Sequence, residues 1–216
     1  FILAILSGIA TFVILYMYYC RYVFSFEGGG LMRRIHGYLL DHLPWDGLGS
    51  ALEVGCGSGA LSISAAKRFP LAEIQGIDYW PPMWNYGQPQ CEANAAAEGV
   101  ADRCTFQHGD AAKLDFPDNH FDAVISNFVF HEVRTQKDKF LLVEESLRVL
   151  KKGGAFALHD TFGNRDMYGN MDEFVAYLQE KGIADVSYLP NTERNIPMPA
   201  PVRFMMRGIG MLYGTK

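Results

Sequence analysis

Residues 51–64 read "ALEVGCGSGALSIS", a short apolar run that breaks into three glycines within five positions, Gly55, Gly57 and Gly59. Glycine admits left-handed backbone and lets another group come close to the main chain. Between a strand and a helix, such a loop also presents backbone N–H groups at a helix N-terminus, where ligands are commonly held. The reading of the fold turns on what this loop holds.

Outward from the loop, strand-like and helix-like segments alternate. "ALEV" (51–54), "AEIQGID" (72–78), "CTFQHG" (104–109), "FDAVISN" (121–127) and "AFALHD" (155–160) read as strands. Between them, "ALSISAAKRF" (60–69), "NYGQPQCEANAAAEG" (85–99) and "TQKDKFLLVEESLRVLK" (135–151) read as helices, the last closed by Gly153 and Gly154. Beyond them "MDEFVAYLQEKG" (171–182) reads as a helix, and "ADVSYLP" and "GIGMLYGTK" as strands joined by a long proline-bearing connection. Strands alternating with helices of this length predict βαβ units and a doubly wound α/β fold, with a parallel sheet covered by helices on both faces. In such a sheet the ligand sits at the carboxyl ends of the strands, near the point where strand order reverses.

Three ligand classes compete for the glycine loop. A phosphate loop of the Walker type ends in Gly-Lys-Ser/Thr, whereas residues 59–62 read Gly-Ala-Leu-Ser. A dinucleotide fingerprint is met by Gly55, Gly57 and Ala60, with Asp78 near the position of a ribose-binding acid. However, Glu53 stands two residues before the first glycine, and a carboxylate there suits a cationic ligand better than pyrophosphate. A third acid, Asp110, follows Gly109 after the third strand, where it can accept from an exocyclic amine such as adenine N6. One acid for an amino-acid end, one for a ribose and one for an adenine match S-adenosylmethionine, which has no phosphate.

Residues from about 50 to 160 resemble the class I (Rossmann-like) S-adenosylmethionine-dependent methyltransferases. The glycine loop, the acid ending the second strand, "GDA" (109–111) and "LRVLKKGGAF" (147–156) occur in that family's order, and "GIGMLYGTK" resembles its antiparallel last strand. The resemblance implies a mostly parallel, seven-stranded sheet and S-adenosylmethionine as cofactor. It implies that Gly55, Cys56, Gly57 and Gly59 line the methionine portion and that Asp78 accepts the ribose hydroxyls. Tyr79 and Trp80 would then pack near the adenosine, Asp110 and Ala111 hold the adenine edge, and Asn127 with Phe128 close the site. Glu53 is expected to order the loop and the ligand's ammonium. The segment "YWPPMWNYGQPQ" (79–90) departs from the family in its length and aromatic content, which leaves open which aromatic stacks on adenine; Trp80 and Trp84 equally suit the edge of the core.

Plainer readings compete at each position. The glycines also suit a tight strand-to-helix turn, and Asp78 and Asp110 suit helix N-caps, a role compatible with ligand binding. A general base is needed only if the acceptor loses a proton. His131, a few residues past the fourth strand, is the candidate catalytic residue; as a lone histidine it also fits a structural role. His159 and Asp160 lie one strand over, and His159, inside a strand, is expected to be buried. A nicotinamide-dependent oxidoreductase and a non-catalytic cofactor-binding module are the alternative functions.

Residues 1–20, "FILAILSGIATFVILYMYYC", carry no charged side chain. As a helix they would span about 30 Å, the thickness of a bilayer's hydrocarbon core. Tyr16, Tyr18, Tyr19 and Tyr22 gather at the end of the run, and Arg21, Arg33 and Arg34 follow it. This pattern predicts a membrane anchor with the following domain on the cytoplasmic side. A buried core helix is the plainer alternative, and a signal peptide fits less well, because the run ends on bulky residues; a first residue of Phe rather than Met points to a trimmed or incomplete start. The expected organisation is an anchor over 1–24, a flexible joint over 25–30 and a catalytic domain over 31–216, with a small-molecule or lipid-like acceptor.

The formal net charge of −5 argues against a nucleic-acid partner. Cys20, Cys56, Cys91 and Cys104 form no metal-like spacing and the six histidines form no cluster, so reduced thiols and no metal are expected.

Overall fold

The computed structural model describes residues 2–81, 87–183 and 185–216. Its strands are β1 (Gly49–Val54), β2 (Ala72–Asp78), β3 (Cys104–His108), β4 (Phe121–Asn127), β5 (Leu150–Asp160), β6 (Asp185–Pro190) and β7 (Gly210–Thr215). They form one sheet in the order β3-β2-β1-β4-β5-β7-β6. The first five are parallel, while β7 runs antiparallel to both β5 and β6. Strand order reverses between β1 and β4, so the glycine loop after β1 lies at the switch point.

The helices are α1 (Ile2–Phe24), α2 (Leu31–Asp41), α3 (Ala60–Arg68), α4 (Gln88–Ala97), α5 (Lys139–Arg148), α6 (Arg165–Tyr168), α7 (Met171–Glu180) and α8 (Ala200–Met205). Alternation along the strands divides the core between two faces. Leu52, Val54, Val124 and Phe156 pack with Leu142 and Leu147 of α5 and Phe174 and Leu178 of α7. Ala51, Ile74, Ala123 and Ala157 face the other way, against Leu39 of α2, Leu61 of α3 and Cys91 of α4.

Three boundaries differ from expectation. The helix expected over 135–151 is only Lys139–Arg148; it starts where the Asp138 side chain accepts from Phe140 N at 3.0 Å. Gly153 and Gly154 do not close it, because β5 has already begun at Leu150. Between Phe121 and Ala123 of β4 the partner residue on β5 moves from Leu150 to Ala155, so the glycines lie in a bulge, with Gly153 at φ +77°. The proline-bearing connection holds α8, and "TFGNRDMYGN" holds α6, whose N-cap Asn164 accepts from Asp166 N at 3.2 Å.

Helix α1 is exposed along almost its whole length. Its last turns are different: Val23 is buried, and Cys20 and Phe24 pack beside it against Leu31 and Ile35 of α2, Val202 of α8 and Met206 just after α8. One turn earlier, Tyr16 Oη meets the Pro201 carbonyl at 3.4 Å. The stretch expected as a joint is a hydrogen-bonded turn, with Gly29 N on Tyr22 O and Gly30 N on Ser25 O, both at 2.8 Å. A boundary at residue 24 therefore cuts through a packed cluster.

Candidate active site

The loop after β1 is built from left-handed backbone. Gly55, Gly57 and Gly59 have φ of +77°, +56° and +81°. The amides of Gly55 and Cys56 both donate to the Ile77 carbonyl of β2, at 2.8 and 2.9 Å. A Cβ on Gly55 would lie 2.2 Å from Val129, and one on Gly59 would lie 2.9 Å from Phe106. On Gly57 it would meet nothing within 4 Å. Two of the glycines thus serve packing, and the middle one faces open space.

That open face is rimmed by the end of β2. Asp78 accepts the Gly57 amide on Oδ2 at 2.8 Å and the Trp80 amide on Oδ1 at 2.9 Å. The Trp80 indole N–H returns to the Gly57 carbonyl at 2.7 Å, and Trp80 itself takes a left-handed φ of +38°. Cys91 of α4 reaches the same carbonyl through its thiol at 3.2 Å, and the interaction with Cys91 together with burial pushes the Cys56 thiol far up. Tyr79 turns the other way, exposed, with its ring 5.2 Å from that of His108. Trp84 lies outside the described residues.

Glu53 is buried on β1 and accepts from the Ser62 hydroxyl of α3. Burial pushes its carboxyl up to about 8, although the Ser62 hydrogen bonds favour the charged form. At the end of β3, Asp110 Oδ1 accepts from Ala112 N at 2.8 Å, closing a tight turn with Ala111 buried inside it.

The other half of the site follows β4 and β5. Asn127 Oδ1 meets His159 Nδ1 at 3.1 Å, and the Phe128 amide donates to the His159 carbonyl at 2.8 Å. His159 is buried, as expected of a strand residue; Thr192 holds its other nitrogen at 2.7 Å, and burial lowers it to about 4. His131 stands on a 3-10 turn, Phe130–Glu132, two residues past the Val129 that covers Gly55. Its Nδ1 lies 2.7 Å from Asp160 Oδ1, and Asp160 Oδ2 accepts the Phe130 amide at 2.8 Å. The hydrogen bond to Asp160 raises His131 above the ordinary histidine value. Burial pushes Asp160 up, but the bonds from His131 and the Thr161 amide outweigh it and hold the carboxyl below the usual range.

The structure thus brings Gly57, Asp78 and Trp80 into one hydrogen-bonded group and His131 and Asp160 into another. Ser62 as the partner of Glu53 carried no signal in the sequence. Among the described residues, no three His, Cys, Asp or Glu side chains are placed to hold a metal ion.

Comparison with known proteins agrees with this geometry. A family profile described as "Methyltransferase domain" matches residues 52–158. A demethylmenaquinone methyltransferase of Thermus thermophilus is 30% identical over 168 residues, covering 74% of this chain and 72% of that protein. One from Geobacillus kaustophilus is 29% identical over 172 residues, covering 75% and 70%. In fold, the chain is similar to a Haemonchus contortus phosphoethanolamine N-methyltransferase solved with S-adenosyl-L-methionine: TM-score 0.66, 18% identity, 90% of this chain and 56% of that one. The chain belongs to the class I S-adenosylmethionine-dependent methyltransferases. It is an enzyme with S-adenosylmethionine as its cofactor, which sets aside the oxidoreductase and the non-catalytic module.

Proposed function

We propose that the chain methylates a lipid-borne acceptor of the quinone kind, with His131 as the base and α1 as the membrane anchor. The observation that carries this reading is the packing of α1: its last turns join the cluster of Ile35, Val202 and Met206 that also takes Phe128, directly after β4. The acceptor side of the site is therefore built against the helix with the composition of a bilayer span. The two relatives named as demethylmenaquinone methyltransferases supply the acceptor class. The domain faces the cytoplasm, following Arg21, Arg33 and Arg34.

The cofactor is held by the loops after β1, β2 and β3. Gly57, whose side-chain direction is open, lets the methionine portion lie against the backbone, beside Gly55, Cys56 and Gly59. Asp78 binds the ribose hydroxyls with the lone pairs that Gly57 and Trp80 leave free, and Trp80 with Tyr79 flanks the adenosine. Asp110 and Ala111 take the adenine edge, and Asn127 and Phe128 close the site. Glu53, neutral near pH 7 while no cation is near, ionises when the ligand's ammonium arrives.

Bound S-adenosylmethionine supplies a methyl group already activated on a sulfonium, so the protein's main task is alignment. An ionised Asp160 at Nδ1 fixes the His131 tautomer with its proton on Nδ1. Nε2 is then the basic nitrogen, which takes the acceptor's proton as the new bond forms, and Glu132 Oε1 at 3.4 Å stabilises the resulting imidazolium.

Incubation with methyl-labelled cofactor and demethylmenaquinone already reduced to its hydroquinone, the electron-rich form that has a proton to lose, or with a membrane lipid extract, tests the reading. Label should enter the lipid phase with the parent chain and fall sharply with His131→Ala. Label found only in water-soluble products would overturn it.

A further inference from the structure

We infer that α8 is a second membrane contact, lying in the headgroup layer of an anionic bilayer beside α1. The inference rests on the reading of α1 as an anchor. Helix α8 and its C-cap bury Val202 and Met206 against α1 and α2, while Phe204 and Met205 turn outward, 72% and 51% exposed. Phe204 and Met205 together leave an apolar patch at the surface, and exposed apolar patches rimmed by polar residues mark interaction sites.

Its surroundings identify what covers it. Arg194, Arg203 and Arg207 border the same surface and, with Phe204, line a shallow depression of about 370 Å³. Arg207 lies 5.8 Å over the Phe204 ring. Arg21 ends α1, and Arg33 and Arg34 begin α2, with Arg34 Nε donating to the Pro197 carbonyl just before α8 at 2.8 Å. Against these six arginines the same two stretches, 20–35 and 193–208, contain only Glu27 and Glu193, in a chain of net charge −5. Exposed aromatic and thioether side chains among arginines are the composition of an interfacial helix that meets anionic lipid.

The height of α8 along α1 supports the same occupant. Tyr16 meets Pro201, eight residues before the end of α1 at Phe24. At 1.5 Å per residue, the start of α8 lies about 12 Å inside the C-terminal end of that helix. A bilayer that takes in most of α1 therefore reaches α8. Burying Phe204 there would also hold the Phe128 side of the site at the membrane surface, where a lipid acceptor arrives.

The full chain in vesicles of phosphatidylcholine and phosphatidylglycerol tests the inference, with a nitroxide label on one introduced exposed cysteine at a time in a Cys20→Ser background, where the remaining Cys56, Cys91 and Cys104 are buried. Phe204→Cys, Phe12→Cys and Leu71→Cys are compared; Leu71 is exposed in the turn just before β2, by the opposite end of the sheet. Labels at 204 and 12 should be more accessible to oxygen than to a water-soluble nickel chelate, and the label at 71 should show the reverse. Arg203→Gln with Arg207→Gln, or vesicles of phosphatidylcholine alone, should return the label at 204 towards water. A label at 204 as open to nickel as that at 71, while 12 remains in lipid, overturns this inference and leaves the anchor standing. A label at 12 in water overturns both. A label at 204 shielded from both reagents would mean a protein partner, such as a second copy, and would also overturn it. If removing the arginines or the anionic lipid changes nothing, the charge argument fails and so does the assignment.

Discussion

Asp78 Oδ2 accepts the Gly57 amide at 2.8 Å, joining the end of β2 to the middle of the glycine loop. The acid is thus part of the loop's architecture and, on the proposed placement of the cofactor, a ligand group as well. Asp78→Ala should weaken S-adenosylmethionine binding about 100-fold, since hydrogen bonds to a charged group contribute about 1.5–3 kcal/mol each. Asp110→Ala should do less, because water can replace its acceptor. Calorimetry gives the affinities, and a melt reports whether the fold survives. Parental affinity in a folded Asp78→Ala chain would remove the ribose from this position.

The glycines separate binding from folding. Gly55→Ala should destabilise the fold, because its Cβ would run into Val129, and Gly57→Ala should cost only about 1–2 kcal/mol of left-handed strain. A bulkier change, Gly57→Leu, should abolish cofactor binding while the chain still melts cooperatively. Equal binding by Gly57→Leu would place the methionine portion elsewhere.

His131 should set the acidic limb of the pH–rate profile. A base works deprotonated, so the rate should climb as pH rises through a pKa that Asp160 has lifted above 6.5. Asp160→Asn should move that limb to lower pH and reduce the maximal rate. His131→Gln should lower the rate about 100-fold or more. A limb that does not move in Asp160→Asn would deny the pair its role.

Glu53 carries a stability signature. Its folded pKa of about 8 lies above its ordinary value of 4.5, so the cofactor-free chain is favoured while the acid is protonated. That stability is fully present below pH 4.5 and is lost as pH rises through 8. Glu53→Gln should therefore melt higher than the parent at pH 8, by an amount corresponding to about a few kcal/mol. Near pH 7, cofactor binding by the parent should release a proton, visible as a dependence of the calorimetric enthalpy on buffer. Glu53→Gln should release none there.

The chain with residues 1–24 in place should stay with membranes through a high-salt wash, because an apolar span is held by burial rather than by headgroup attraction. Removal of residues 1–15 should give a soluble chain that binds cofactor. Removal of 1–24 should lower the melting temperature, since it strips Val23 from Val202 and Met206. Salt-extracted parent protein would rule out the span.

What the sequence discloses is what depends on near neighbours. The strand, loop and helix around "GCGSG" are legible because alternation and glycine chemistry are local. The α8 helix is hidden by its own prolines: Pro199 is its N-cap and Pro201 lies in its first turn, where proline is tolerated but reads as an interruption. The early start of β5 is masked by "KKGG", which looks like the end of a helix and is a bulge. Partnerships across the fold are less visible still. His131 and Asp160 are 29 residues apart and meet only because β4 and β5 are parallel neighbours ending at the same height. Ser62 meets Glu53 only once α3 has folded back along β1.

The position of β7 has a consequence for biosynthesis. Residues 210–215 are made after β6 yet lie between it and β5, so β6 has no edge to join until they emerge from the ribosome. Helix α1 emerges long before and is free to insert into a bilayer while the sheet is still incomplete. Residues 191–209, which carry Thr192 and α8, are locked in place last. With α1 as the proposed anchor, the nascent chain would be tethered first and made competent for catalysis at the end, its acceptor wall assembling against a membrane already reached.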